Sequence, residues 1–131
     1  MNDHNSNKII TNNKKAKFLY HLIDSYEAGI ELLGSEVKSI REGNVSIKES
    51  FIRIKDGELY LIGMHIGEYS HKGYSTHNPI RDRKLLMHKS EIFKINKEYE
   101  NKGKTIIPIK LYFKENKVKI QIALAKGKKN W

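Results

Sequence analysis

Cysteine is absent from the 131-residue sequence, and proline occurs only twice. The absence of cysteine excludes disulfide bonds, thiolate metal sites and thiol-based catalysis. Long apolar runs are also missing, because the longest one, Leu59–Ile66, is interrupted by Gly63 and His65 and is too short to cross a bilayer. Residues 1–13 are polar and lack the apolar centre of a signal peptide. We therefore expect a cytoplasmic protein without a membrane segment.

Recognisable enzyme motifs are lacking as well. Gly127-Lys128-Lys129 follows a predicted strand, but the remainder of a phosphate-binding loop is missing, and there is no nucleophile elbow. His65, His71 and His77 recur every six residues, a wider spacing than metal ligands on one helix or strand have. The alternative to a metal site is that these histidines lie in loops or face solvent. We expect no catalytic residue, no metal and no cofactor.

Acidic residues are fewer than basic ones. The sequence has 15 Asp and Glu residues and 25 Lys and Arg residues, which gives a net charge of +10. Positive charges in such excess repel one another unless a bound polyanion neutralises them. Cations beside aromatic and aliphatic side chains favour RNA, whose phosphates and exposed bases they can contact. The alternative is a solvated, lysine-rich surface. The cations form three clusters: Lys14, Lys15 and Lys17; Arg81, Arg83, Lys84 and Lys89; Lys126, Lys128 and Lys129.

Glu27 is one of the acidic residues that lie between the first two of these clusters in the sequence. Glu27 is part of Tyr26-Glu27-Ala28-Gly29, and a carboxylate facing RNA can accept a hydrogen bond from the amino group of guanine or cytosine. The alternative for Glu27 is a structural hydrogen bond, or no role.

The alternation of apolar residues predicts a mainly β domain. Asp56-Gly57 separates two apolar runs and predicts a β-hairpin. A second hairpin is predicted with its turn at Lys114–Lys117, because Val118, Ile120, Ile122 and Leu124 recur with period two. Helices are predicted at residues 34–43, ending at Gly43, and at residues 88–102, where Phe93 widens an apolar stripe.

Hairpins without strand–helix–strand alternation predict an antiparallel sheet. At this length we expect an OB-fold-like barrel of about six strands with two or three short flanking helices. We divide the chain into a flexible arm (residues 1–13), one domain (residues 14–125) and the start of a basic tail (residues 126–131).

Six segments carry a family resemblance: Asn13–Lys17, Tyr26–Ile30, Gly34–Arg41, Asp56–Leu61, Asn78–His88 and Ala123–Lys129. Together they resemble the small protein B (SmpB) family, whose members are the bacterial partners of transfer-messenger RNA. The segments follow the order and spacing of that family from Asn13 to Trp131.

The resemblance implies an oligonucleotide-binding barrel that binds the tRNA-like domain of transfer-messenger RNA. Protein and RNA together would imitate a tRNA and enter stalled ribosomes near the decoding region of the small subunit, so that the nascent peptide is tagged. The protein would act as a monomer and make no covalent bond. The alternative from the residues alone is a structural or assembly protein that binds ribosomal RNA.

The resemblance also assigns roles to individual residues. RNA contact falls most firmly on Glu27 and Leu86, and Asn13, Tyr20, Arg83 and Lys84 are expected on the same surface. Lys14, Lys15 and Arg81 join them as members of the basic clusters. Contact with ribosomal RNA is expected from Lys126, Lys128, Lys129 and Trp131.

The end of the sequence differs from the family pattern. Trp131 stands where the family usually carries His or Tyr, and an aromatic ring there could stack on a ribosomal base. Family members continue with a longer Lys/Arg-rich tail, so the expectation is a trimmed chain that binds transfer-messenger RNA but does not support tagging.

Overall fold

A computed structural model describes residues 8–68, 77–99 and 103–128. Within these ranges the chain forms nine strands and three helices, most of them short. In chain order they are β1 (Lys8–Asn12), α1 (Ala16–Leu19), β2 (Tyr20–Ile30), α2 (Gly34–Arg41), β3 (Val45–Ser46), β4 (Phe51–Lys55), β5 (Glu58–Ile62), β6 (His65–Ile66), β7 (Arg83–Leu86), α3 (Lys89–Tyr99), β8 (Lys104–Lys114) and β9 (Lys117–Gly127).

Both predicted hairpins are confirmed. β4 pairs with β5 around Asp56 and Gly57, which have φ angles of 52° and 77°. β8 pairs with β9 around Glu115 and Asn116, with φ angles of 52° and 66°. Positive φ at both central residues matches the right-handed twist of the flanking strands. Gly43, with a φ of 81°, follows α2 as predicted.

Seven strands form one antiparallel sheet in the order β1-β8-β9-β2-β7-β5-β4. The sheet curls, so that β4 at one edge approaches β8 near the other. β3 and β6 form a separate two-stranded sheet. The predicted class, an antiparallel OB-like β fold with short helices, is confirmed, although the described residues contain more strands than the expected six.

The core fills the concave side of the sheet. Ala28, Ile120 and Leu111, from the three neighbouring strands β2, β9 and β8, are almost fully buried there. Helix α2 contributes Ile40, and helix α3 contributes Ile92 and Ile95. Phe93 of α3 does not join them: its side chain is 69% exposed, so the expected widening of the apolar stripe was wrong.

The sheet extends beyond both boundaries expected for the domain. Residues 8–12, assigned above to a flexible arm, form β1 and pair with β8, because the outer edge of β8 offers backbone groups that need partners. Lys126 and Gly127, assigned to the tail, are the last residues of β9 and pair with β2. Residues 20–30 form one continuous strand, β2. Its pairing register with β9 shifts between Leu22 and Asp24.

The ranges that the structure describes contain no helix long and apolar enough to cross a membrane. Nor do they contain a group of three His, Asp or Glu side chains that could hold a metal ion. His77 is buried, with Nε2 2.9 Å from the carbonyl oxygen of Ile66 and Nδ1 2.9 Å from Ser35 Oγ. His71 lies outside the described residues.

Candidate nucleic-acid interface

Strands β2, β9 and β8 present a polar face on the side of the sheet opposite the core. Successive side chains of a strand point to opposite faces, so the neighbours of the core residues Ala28, Ile120 and Leu111 lie here. Glu27 pairs with Gln121, which pairs with Lys110. The next row contains Gly29, Lys119 and Tyr112. We call this surface the outer face; it consists of Glu27, Gly29, Lys110, Tyr112, Lys119 and Gln121.

Glu27 lies on β2, at one side of the outer face, and has partners on β8, a strand that is not its neighbour. The Tyr112 hydroxyl donates a hydrogen bond to Glu27 Oε2. Lys114 Nζ lies 3.2 Å from Oε1 and 3.4 Å from Oε2. The Glu27 side chain remains 37% exposed. Its carboxylate is therefore both held in place and open to a partner.

The charge state of this group follows from its neighbours. The Tyr112 hydrogen bond, which outweighs the opposing effect of burial, lowers the pKa of Glu27, and Lys114 and Lys119 lower it further. Burial, together with the Glu27 carboxylate, raises the pKa of Tyr112. At neutral pH Glu27 is ionised and Tyr112 keeps its proton, as a hydroxyl donor must.

A groove of about 390 Å³ adjoins the outer face where β2 meets β7. Leu86 of β7 pairs with Gly29 of β2 and is 48% exposed. A Cβ atom at position 29 would lie 3.4 Å from the Cβ of Leu86 and 3.7 Å from Lys119 Nζ. Glycine leaves this edge of the groove without a side chain, although a Cβ atom there would make only ordinary van der Waals contacts. An exposed leucine next to lysines is suited to packing on a base whose phosphates the lysines contact.

A second groove, of about 470 Å³, adjoins the other end of the outer face and is lined by Asn13, Lys14, Lys17, Lys110 and Gln121, among others. Asn13 is anchored twice: its Nδ2 donates to the carbonyl oxygen of Pro108 at 2.8 Å, and its backbone N–H donates to Ile109 at 2.7 Å. This anchoring fixes the following lysines at the rim. The structure thus brings Asn13, Lys14, Glu27 and Leu86 onto one surface.

Arg83 corrects the sequence-based interpretation of the second basic cluster. Its side chain is 0% exposed and donates to Glu36, with Arg83 Nη2 2.8 Å and Nε 2.9 Å from Glu36 Oε2. It also donates to the carbonyl oxygens of Met64 and Pro79. A buried charge requires such partners, so Arg83 cannot present its guanidinium to RNA.

Arg81 shares the same carboxylate. Its Nε and Nη2 donate to the two Glu36 oxygens at 2.8 and 2.7 Å, and 30% of its side chain remains exposed. Lys84 is partly exposed, with Nζ 4.0 Å from Glu58. Among the three cations of this segment, Arg83 is the most buried and has a structural role, whereas Lys84 remains able to contact a partner.

The remaining expected contacts lie around α1. Tyr20 packs against Ala16, Ile107 and Ala125, and it lines a groove of about 310 Å³ together with Lys15 and Phe51, among others. Lys126 is exposed at the end of β9, and Lys128 Nζ donates to the carbonyl oxygen of Lys17 at 2.7 Å. Lys129 and Trp131 lie outside the described residues.

Sequence reasoning missed the cations nearest to Glu27. Lys114 contacts the carboxylate and Lys119 helps to lower its pKa, yet neither belongs to a run of adjacent cations in the sequence. The signal was present in the alternation of β8 and β9, because the positions between the core residues carry Lys110, Tyr112, Lys119 and Gln121. Reading the solvent-facing positions of paired strands together would have located them.

Comparison with known proteins identifies close relatives. A family model described as "SmpB protein" matches residues 10–131. The chain is 55% identical over 127 residues to an SsrA-binding protein of Aquifex aeolicus, covering 95% of this chain and 81% of the relative. It is 48% identical over 122 residues to the SsrA-binding protein of Solidesulfovibrio magneticus, covering 93% and 79%.

A solved structure described as "tmRNA-SmpB: a journey to the center of the bacterial ribosome" matches the fold with a TM-score of 0.74 and 43% sequence identity. The match covers 92% of this chain and 85% of that one.

Proposed function

Because the chain belongs to the SmpB family, we propose that it binds transfer-messenger RNA (tmRNA, or SsrA RNA) and delivers it to stalled ribosomes. In this role the protein contacts the tRNA-like domain, and the complex enters the ribosome as a mimic of tRNA. Its partners are tmRNA and the ribosome.

The observation that supports this proposal most directly is the outer face. The ionised Glu27 carboxylate lies beside Lys114 and Lys119, and a groove with an exposed leucine adjoins the outer face. Lysines attract phosphates without regard to sequence, whereas a fixed acceptor selects bases that carry an amino group. The surface therefore combines affinity for RNA with a means of selection.

We assign RNA contact to Glu27, Leu86, Lys84 and the segment Asn13–Lys15. Glu27 accepts a hydrogen bond from a base amino group, and Leu86 packs on a base or ribose. Arg81 supports the surface through Glu36 and retains an exposed portion for contact, while Arg83 acts from the interior. We further propose that Tyr20 borders this surface and that Lys126, Lys128, Lys129 and Trp131 lead toward ribosomal RNA.

The alternative, a ribosomal-RNA-binding assembly protein, is less favoured, because the curated relatives are named for binding SsrA RNA. SmpB proteins are RNA-binding proteins, and we propose that this chain likewise acts without catalysis, in the cytoplasm where ribosomes translate.

The proposal is tested by titrating the protein with the isolated tRNA-like domain of tmRNA and with ribosomal RNA fragments of equal length. We expect preferential binding to the tRNA-like domain. Glu27→Gln should weaken that binding by about 10- to 100-fold, because a hydrogen bond to a charged group contributes about 1.5–3 kcal/mol.

Glu68→Gln is the matched control, since it removes the same charge from an exposed residue that is not part of the outer face. Equal affinity for both RNAs would favour the ribosomal-RNA alternative, and equal loss in the two variants would contradict the role of Glu27.

A further inference from the structure

Tyr112 connects strand β8 to the proposed RNA contact on β2. It lies on β8 and pairs with Lys119 of β9, whereas Glu27 lies on β2, beyond β9. The Tyr112 ring thus extends across β9 to place its hydroxyl at Glu27 Oε2. Only 4% of Tyr112 is exposed, and Lys110 Nζ lies 5.5 Å from the ring centroid. The ring is held by packing, and little of it is available to a ligand.

The Glu27 side chain, in contrast, needs such support. A free glutamate on a sheet surface samples several rotamers, and ordering it on binding costs free energy. Lys114 restrains the carboxylate, but a lysine side chain is itself flexible and forms a point-charge contact. The rigid donor is therefore the Tyr112 hydroxyl, which uses an acceptor position of Oε2 and leaves Oε1 able to accept another hydrogen bond.

From this geometry we infer that Tyr112 is a positioning residue for RNA recognition: its hydroxyl orients the Glu27 carboxylate before RNA binds. The inference rests on the proposed function. Tyr112 acts through Glu27 and does not itself contact the RNA, because its ring is buried. A preorganised acceptor loses less entropy on binding and imposes a defined direction on the amino group that it accepts from.

A double-mutant cycle tests the inference, with the tRNA-like domain of tmRNA as the ligand. Dissociation constants are measured for the wild type, Tyr112→Phe, Glu27→Ala and the double variant, at a temperature where melting curves show all four to be folded. Tyr112→Phe removes one hydroxyl and keeps the ring. Tyr99→Phe, on helix α3, is the matched control and should bind as the wild type does.

We expect Tyr112→Phe to weaken binding by about 5- to 20-fold. In the Glu27→Ala background the same change should alter affinity by less than about 2-fold, because the group that Tyr112 orients is gone. The dependence of affinity on salt should be the same for Tyr112→Phe and the wild type, because no phosphate contact is removed.

Two results would overturn the inference. One is an equal loss in both backgrounds, which would mean that Tyr112 acts on the fold or on the RNA directly. The other is an unchanged affinity of Tyr112→Phe. A wild-type protein that fails to bind the tRNA-like domain would instead contradict the proposed function, so the two failures are distinguishable.

Discussion

Individual charged residues in this protein have roles that depend on burial and partners rather than on residue type. Arg83 and Lys84 are adjacent in sequence, yet Arg83 is fully buried against Glu36, and Lys84 is partly exposed. Glu27 and Glu36 are both ionised, but Glu36 is surrounded by protein donors, whereas Glu27 retains an open side. The local environment separates a structural ion pair from a surface able to bind a ligand.

At this scale, Tyr112→Phe should raise the pKa of Glu27 toward its ordinary value of 4.5. The Tyr112 hydroxyl stabilises the ionised carboxylate, so its removal favours the protonated form. Lys114 on β8 and Lys119 on β9 remain and keep part of the depression. A pH titration of the Glu27 carboxyl carbon by NMR, without RNA, measures the change. Tyr99→Phe should leave the titration unaltered, and so should Tyr112→Phe if the hydrogen bond is absent in solution.

At the scale of elements, one buried carboxylate links three parts of the fold. Glu36 belongs to α2, where its Oε1 accepts from the backbone N–H of Leu33 at 2.7 Å and so caps the first turn. Arg83 brings β7 to the same group, and Arg81 brings the segment before β7. Because all three donors bind a single side chain, the position of α2 relative to β7 is fixed.

Glu36→Gln should therefore destabilise the protein by about 3–5 kcal/mol, because it leaves the buried Arg83 charge without its counter-ion. Urea unfolding monitored by circular dichroism measures this loss. The control Glu68→Gln, at an exposed site, should change the free energy of unfolding by no more than about 0.5 kcal/mol. Similar stabilities of the two variants would show that the ion pair has little role in holding α2 to β7.

The same group predicts sensitivity to acid. Burial alone would raise the pKa of Glu36, but the hydrogen bonds from Arg81, Leu33 and Arg83 outweigh it, and the pKa lies below 4.5 in the folded protein. The unfolded chain therefore takes up the proton first as the pH falls. The stabilisation is present above pH 4.5 and is lost as the pH falls toward the folded-state pKa.

Urea midpoints measured between neutral pH and the acid limb should show this decline, and the decline should be weaker in Glu36→Gln. An equal decline in that variant would assign the acid sensitivity to other carboxylates.

At the scale of the whole molecule, the protein carries a net charge of +10, and Lys110, Lys114 and Lys119 lie on or beside the outer face. The grooves on either side of Glu27 make the outer face long enough for several phosphates of an RNA backbone. If it contacts about five phosphates, the logarithm of affinity should fall against the logarithm of salt concentration with a slope of roughly −3.5 to −4.5.

The single variants Lys110→Ala and Lys119→Ala should each reduce the magnitude of that slope by about 0.7–0.9. Lys55→Ala is the control, because Lys55 lies beside the β4–β5 turn, away from the outer face. Titrations of the tRNA-like domain at four or more salt concentrations give the slopes. If Lys55→Ala reduced the slope as much as Lys119→Ala does, the result would indicate a diffuse electrostatic attraction and no defined surface.

Local patterns in the sequence predicted the parts of the fold that depend on neighbouring residues. The hairpin turn at Asp56-Gly57 was predictable because positive φ angles favour such residues, and the turn at Glu115-Asn116 because apolar residues alternate along β9. The position of Gly43 just after the end of α2 was predictable because glycine adopts the positive φ found there. Strand β1 was not predicted, because residues 8–12 become a strand only through pairing with β8, far along the chain.

For this protein, then, residue patterns alone sufficed for the mainly β class, the hairpins and the excess of cations, and the family resemblance put Glu27 and Leu86 in one candidate surface. The burial of Arg83 against Glu36 and the contact of Tyr112 with Glu27 were decided only on folding, since those partners lie 47 and 85 residues apart. Turn preferences act over a few residues. Desolvation and hydrogen-bond geometry, in contrast, depend on which distant strands the closed sheet brings together.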